Sequence, residues 1–131
     1  MVLVIVAVVG LLLVQVFLVP ALRYGLVSER SVADNLRYTA GPRDEGEPTS
    51  PLVERAIRAE RNLLETLPAF FVLAVLAHVE QADPLAVTAG WVYFAARCAY
   101  LPMYLAGVPF LRTLCFLTAL LAMLAIGYTV L

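Results

Sequence analysis

The sequence predicts an all-α integral membrane protein, a single antiparallel bundle of four transmembrane helices spanning residues 1–131. Three observations carry that prediction. Hydrophobic residues make up 63% of the chain and the mean hydropathy is +0.90, against roughly 45–50% apolar in an ordinary soluble domain. The apolar residues gather into four long runs separated by proline, glycine and charged residues. Four spans of roughly 20 residues each would leave only about 50 residues for loops and ends, so one compact membrane domain fills the chain.

The first helix is predicted over residues 2–22, VLVIVAVVGLLLVQVFLVPAL, in which Gln15 is the only polar residue. It lacks the basic start, short apolar core and small-residue cleavage site of a secretory signal, so it reads as a retained span. Residues 23–51 carry Arg, Asp, Glu, Gly and the prolines Pro42, Pro48 and Pro51, and the stretch GPRDEGEPTSP is the clearest loop signal. A second helix, 52–81, begins where Thr49, Ser50 and Pro51 offer a cap followed by proline. Its some 30 residues reach about 45 Å, more than the roughly 30 Å hydrocarbon core, so its charged N-terminal half must project beyond the core or be buried among helices. Glu80 to Pro84 forms a turn into a third helix, 84–105, and Gly107 and Pro109 separate it from a fourth, 109–131.

All nine basic residues are arginine and the net charge is −1, which gives no basis for nucleic-acid binding. Arginine sits in and beside the first and third loops and is absent from the second, so the positive-inside rule places both termini outside the cytoplasm, in a cell (inner) membrane. Cys98 and Cys115 lie in apolar runs and read as free thiols.

Chemistry is concentrated on two helix faces. At about 100° per residue, Glu54, Arg58, Arg61, Asn62 and Glu65 fall on one stripe of the second helix, with Glu60 opposite. Tyr93, Arg97, Tyr100 and Tyr104 share an arc of about 60° on the third. Local pairing of Glu54 with Arg58 and of Arg61 with Glu65 is the structural alternative, and Tyr93 alone reads as an interfacial tyrosine. Ionisable groups within the bilayer cost roughly 2.5–3.5 kcal/mol each and usually face the bundle interior. Arginines with a glutamate, an asparagine and tyrosines suit a zwitterionic ligand with more than one carboxylate. If that ligand carries a thiol, a nearby arginine lowers its pKa and makes a nucleophile. His78, the only histidine, lies near 200° from Arg58, off the stripe, and no metal-ligand spacing or nucleotide motif is present.

The stretches VERAIRAERNLLETLPAF and ARCAYLPMYLAGVPFLRT resemble the signatures of the MAPEG family, the membrane-associated proteins in eicosanoid and glutathione metabolism, and among its members the bacterial group most. The resemblance implies that Arg58, Arg61, Asn62 and Glu65 hold glutathione, the co-substrate, that Tyr100 and Tyr104 line the same site, and that Arg112 stabilises its thiolate with Thr113 beside it. Arg97 joins them from its shared face with the tyrosines, and Arg23 resembles another glutathione-contacting arginine. A homotrimer with sites between subunits, a lipophilic small-molecule substrate entering from the lipid bilayer, a role in detoxification and no metal are also implied. Tyr100, Leu63 and Thr113 stand where the prostaglandin branch has histidine, aspartate and serine, so prostaglandin isomerase activity does not carry over. The expected function is a membrane glutathione-dependent transferase or peroxidase. A non-catalytic carrier of an anionic amphiphile is the alternative, and a small multidrug exporter lacks the acidic residue it needs in the first helix.

Overall fold

The computed structural model describes residues 1–26, 31–41, 49–81 and 83–131. In chain order it contains α1 (Val2–Ala21), which runs into a π-helical turn (Leu22–Leu26), then α2 (Val32–Ala40), α3 (Pro51–Val79), α4 (Pro84–Ala106) and α5 (Pro109–Tyr128). Among the described residues there is no strand. The four long helices α1, α3, α4 and α5 are those that the four apolar runs predict.

The predicted loop 23–51 needs correction, because the π-helical turn and α2 lie within it. Ser31 starts α2: its Oγ accepts from the Asp34 N–H at 3.2 Å and donates to the Asp34 carboxylate at 2.7 Å, satisfying an amide that would otherwise be open. The Asn35 side chain then donates to the Tyr24 carbonyl at 2.8 Å and ties α2 to the end of α1. Most of the GPRDEGEPTSP stretch, together with Arg30, Arg43 and Ala82 of the predicted loops and turn, lies outside the described residues.

The predicted start of the second long helix is seen in α3. Ser50 Oγ accepts from the Val53 N–H at 3.2 Å, and Pro51 occupies the first turn, where its missing donor does no harm. Asp83 does the same for α4, accepting from the Leu85 N–H at 2.7 Å. Pro20, Pro68 and Pro102 sit inside α1, α3 and α4; proline is tolerated within membrane helices because neighbouring groups re-satisfy the freed carbonyls.

The contacts fix the topology. At one end Val4 of α1 meets Gly90 of α4, and Leu73 of α3 meets Gly127 of α5. At the other, Leu22 packs with Val53 and Ala56, and Arg55 of α3 donates to the Leu105 carbonyl of α4 at 3.1 Å. The long helices therefore run alternately up and down. Gly90 permits the close approach of α1, since a Cβ there would lie 2.9 Å from Val4 Cγ1.

Between these ends the core follows helical spacing: Val4, Val8 and Leu11 from α1, Leu63, Leu67, Phe70 and Ala74 from α3, Tyr93 and Ala96 from α4, Ala122 and Ile126 from α5. Gln15 continues the α1 series inward and is buried. Its carbonyl oxygen has no hydrogen-bond partner among the described residues. The outer surface is as apolar as the core, with Leu3, Phe17, Phe110, Leu121 and Leu124 all exposed. Water would not tolerate so large an apolar surface, whereas a lipid bilayer requires it. Three segments, Val2–Gly25, Pro51–Val79 and Pro109–Tyr128, are long and apolar enough to cross a membrane. The fourth long helix, α4, has 23 residues, about 35 Å at the helical rise, and is less apolar because it carries Arg97 and the tyrosines.

α4 ends in a left-handed turn at Gly107, φ 73°, where a Cβ would lie 3.2 Å from the Arg55 guanidinium. Gly107→Ala is expected to destabilise the protein by about 1–2 kcal/mol. Thermal unfolding in detergent measures it, and an unchanged midpoint would show that the turn relaxes without strain.

Candidate functional site

The polar interior of the bundle is organised around Arg97, which is 2% exposed. It lies nine residues before the end of α4, about 14 Å below that end, so its charge sits deep in the apolar band. The surroundings compensate at the two terminal nitrogens, while Nε is buried without a hydrogen-bond partner among the described residues. Nη1 donates to Asn62 Oδ1 at 2.7 Å and Nη2 to Thr66 Oγ1 at 2.6 Å, both on α3. The rings of Tyr93, Tyr100 and Phe116 each lie 5.5 Å from the guanidinium carbon, where their faces attract a cation. Tyr93 is fully buried and stacks on Phe70 with centroids 4.2 Å apart, which corrects its reading as an interfacial tyrosine. Its hydroxyl lies 3.5 Å from Thr66 Oγ1.

Beside this cluster is an open cleft of about 260 Å³, lined by Asn62, Tyr100, Tyr104, Arg112, Thr113 and Phe116. α3, α4 and α5 each contribute, and the cleft lies in the half of the bundle where Arg55 meets Leu105. Arg112, in the first turn of α5, is half-buried with its guanidinium carbon 4.8 Å from the centroid of the Tyr104 ring. Among the described residues it has no carboxylate partner. Tyr100 and Tyr104 pack at 5.4 Å. Thr113 donates its hydroxyl to the Pro109 carbonyl at 3.0 Å.

The hydrogen bond from Arg97 fixes the orientation of Asn62, because a guanidinium only donates. The amide oxygen faces Arg97, which leaves the NH2 group for the cleft. No carboxylate is among the lining residues. An amide NH2, an arginine and two tyrosine hydroxyls thus present donors to whatever enters, a chemistry that suits an anion.

The remaining predicted site residues are placed elsewhere. Arg58 pairs with Glu54 at 3.5 Å and Arg61 with Glu65 at 3.6 Å, and all four are exposed along α3. Those are the local pairs that helical spacing allows, so within one chain the stripe does not converge on the cleft apart from Asn62. Arg97 is enclosed by protein groups and acts on the cleft through Asn62. Arg23 lies in the π-helical turn, 6.0 Å from the Tyr24 ring. His78 is exposed at the opposite end of the bundle. The structure adds Thr66 and Phe116 to the site, and each has a signal in the sequence: Thr66 stands four residues after Asn62 and Phe116 four after Arg112, on the same helix faces.

Comparison with curated proteins gave no match. The sequence does match the MAPEG family over residues 1–131, its whole length, and the chain therefore belongs to that family of helical membrane proteins, whose activities are broadly of the glutathione-dependent transferase and peroxidase type.

Proposed function

We propose that the protein is a membrane glutathione-dependent transferase or peroxidase that activates the glutathione thiol in the Arg112 cleft. The observation that carries this reading is Arg112 itself, a half-buried guanidinium held against Tyr104, without a carboxylate partner among the described residues, in a cleft lined by donors.

Glutathione is a substrate here. A cation beside its sulfur favours the thiolate over the thiol, and the thiolate is the nucleophile. Its proton passes to water. Tyr104 supports the guanidinium from one face, and Thr113, whose hydroxyl hydrogen goes to the Pro109 carbonyl, lines the cleft beside it. The Asn62 NH2 holds a carbonyl or carboxylate of the tripeptide, and Tyr100 walls the site. In conjugation the sulfur forms a bond to the electrophilic carbon as the leaving group departs. In peroxide reduction it attacks oxygen, breaking the O–O bond, and a second glutathione completes the disulfide. The apolar outer surface lets a lipophilic acceptor arrive from the bilayer.

In this reading Arg58, Arg61, Glu65 and Arg23 bind the charged ends of glutathione across a subunit boundary of a homotrimer. Arg58, Arg61 and Glu65 exchange the exposed local pairs Arg58–Glu54 and Arg61–Glu65 for ligand contacts, at small cost because such surface pairs are worth about 0–1 kcal/mol. The arginine-rich end faces the cytoplasm of a cell-membrane protein with both termini outside.

The test is turnover of a lipophilic electrophile and of a lipophilic hydroperoxide by detergent-purified protein with glutathione. Asn62→Asp keeps an oxygen for Arg97 but replaces the cleft's NH2 with a second oxygen, and should raise the glutathione KM about tenfold, the equivalent of roughly 1.4 kcal/mol. Saturable binding without product from either acceptor would instead identify a carrier of anionic amphiphiles.

A further inference from the structure

α2 is built with three faces. At about 100° per residue, Asn35 and Tyr38 fall together and face the protein: Asn35 is buried and bonded to the Tyr24 carbonyl at 2.8 Å, and Tyr38 packs against Tyr24 with ring centroids 6.4 Å apart. Asp34 and Arg37 fall on a second, charged face. Val32, Leu36, Ala33 and Ala40 form a third, an apolar arc of about 100°. All four are exposed, Val32 at 75% and Leu36 at 64%. The helix therefore turns its polar amide toward the protein and its aliphatic residues away. That arrangement is the reverse of a helix that packs on a soluble domain, which would bury the aliphatic arc.

Its position says what covers the arc. The bond to Tyr24 places α2 beside the last residues of the apolar segment Val2–Gly25, the first of the candidate spans. A segment of that length, about 36 Å, slightly exceeds the hydrocarbon core, so residue 24 lies where acyl chains give way to headgroups. We infer that α2 is an interfacial helix that lays Val32 and Leu36 into the headgroup–acyl boundary of the bilayer, continuing the lipid-facing surface of α1 around the end of the bundle. Arg37, on the flank of the arc, is placed to reach lipid phosphates while its stem lies along apolar surface.

The native protein has one tryptophan, Trp91, so a Trp91→Phe background permits a single reporter in protein reconstituted into phosphatidylcholine vesicles. Leu36→Trp and, as a second probe of the same face, Val32→Trp should be quenched by lipids brominated high on the acyl chain about twofold more strongly than Asp34→Trp on the charged face. Asp34→Trp should instead be the more sensitive to aqueous acrylamide. Each site is exposed, and retention of the parent's thermal midpoint checks that the variant folds. Quenching of the Leu36 and Val32 reporters by acrylamide alone would overturn the inference by placing the arc in water. Protection of both from either quencher would overturn it by placing a second copy of the chain over the arc.

Discussion

Arg97→Ala is expected to lower the stability of the bundle by about 3 kcal/mol or more, the largest loss of any single change considered. The truncation opens a cavity between α3, α4 and α5 where three rings now lie 5.5 Å from the guanidinium. It also leaves Asn62 Oδ1 without its donor. Thr66 suffers less, because its hydroxyl can still use the Leu63 carbonyl, 3.1 Å away. Removing a buried charge recovers some desolvation energy, but that gain requires an apolar side chain filling the same space, and alanine does not fill it. Arg97→Lys should fall between wild type and alanine, since an ammonium is not a planar fork and cannot match the two-armed contact with Asn62 and Thr66. Thermal unfolding in detergent resolves the three proteins. An alanine variant within about 0.5 kcal/mol of wild type, the range of an ordinary surface change, would show that the network adds nothing to the fold.

Arg112→Ala should leave the fold intact and remove the chemistry. The side chain is half-buried at the start of α5 and lies against the Tyr104 ring at the edge of an open cleft, so little packing is lost. A fixed positive group at a developing or resident anion is commonly worth about 100- to 1,000-fold in turnover. Turnover should fall on that order while the glutathione KM changes by less than about tenfold, the pattern of an interaction that acts on the reacting sulfur more than on the peptide. Equal losses in both parameters would make Arg112 a simple binding residue.

The four-helix fold was legible because a membrane imposes its constraint on every residue of a span, and runs such as 2–22 and 109–131 satisfy it openly. α2 was not. Its nine residues are too few to hold a helix by propensity, and what stabilises it, the Asn35 bond to Tyr24 and the ring of Tyr38, is tertiary. The only local signal was Ser31 with Asp34 three residues later. In the site, helical spacing correctly grouped Arg97 with Tyr93 and Tyr100, because residues three and four apart must share a face. It could not decide what Arg58 and Arg61 do, since i,i+4 pairing and a shared pocket require the same spacing. Nor could it separate Asn62 as a ligand group from Asn62 as the partner of Arg97. That distinction depends on how α3 and α4 are rotated against each other, which no single helix encodes.

Whether Arg112 makes a thiolate of bound glutathione is read by titrating the detergent-purified protein with glutathione and following thiolate formation by ultraviolet difference absorbance at neutral pH. A saturable thiolate signal is expected in the wild type and should be absent from Arg112→Ala, even though that variant still binds glutathione by calorimetry. An undiminished thiolate signal in Arg112→Ala, or saturable binding to the wild type with no thiolate at all, would contradict that role for Arg112.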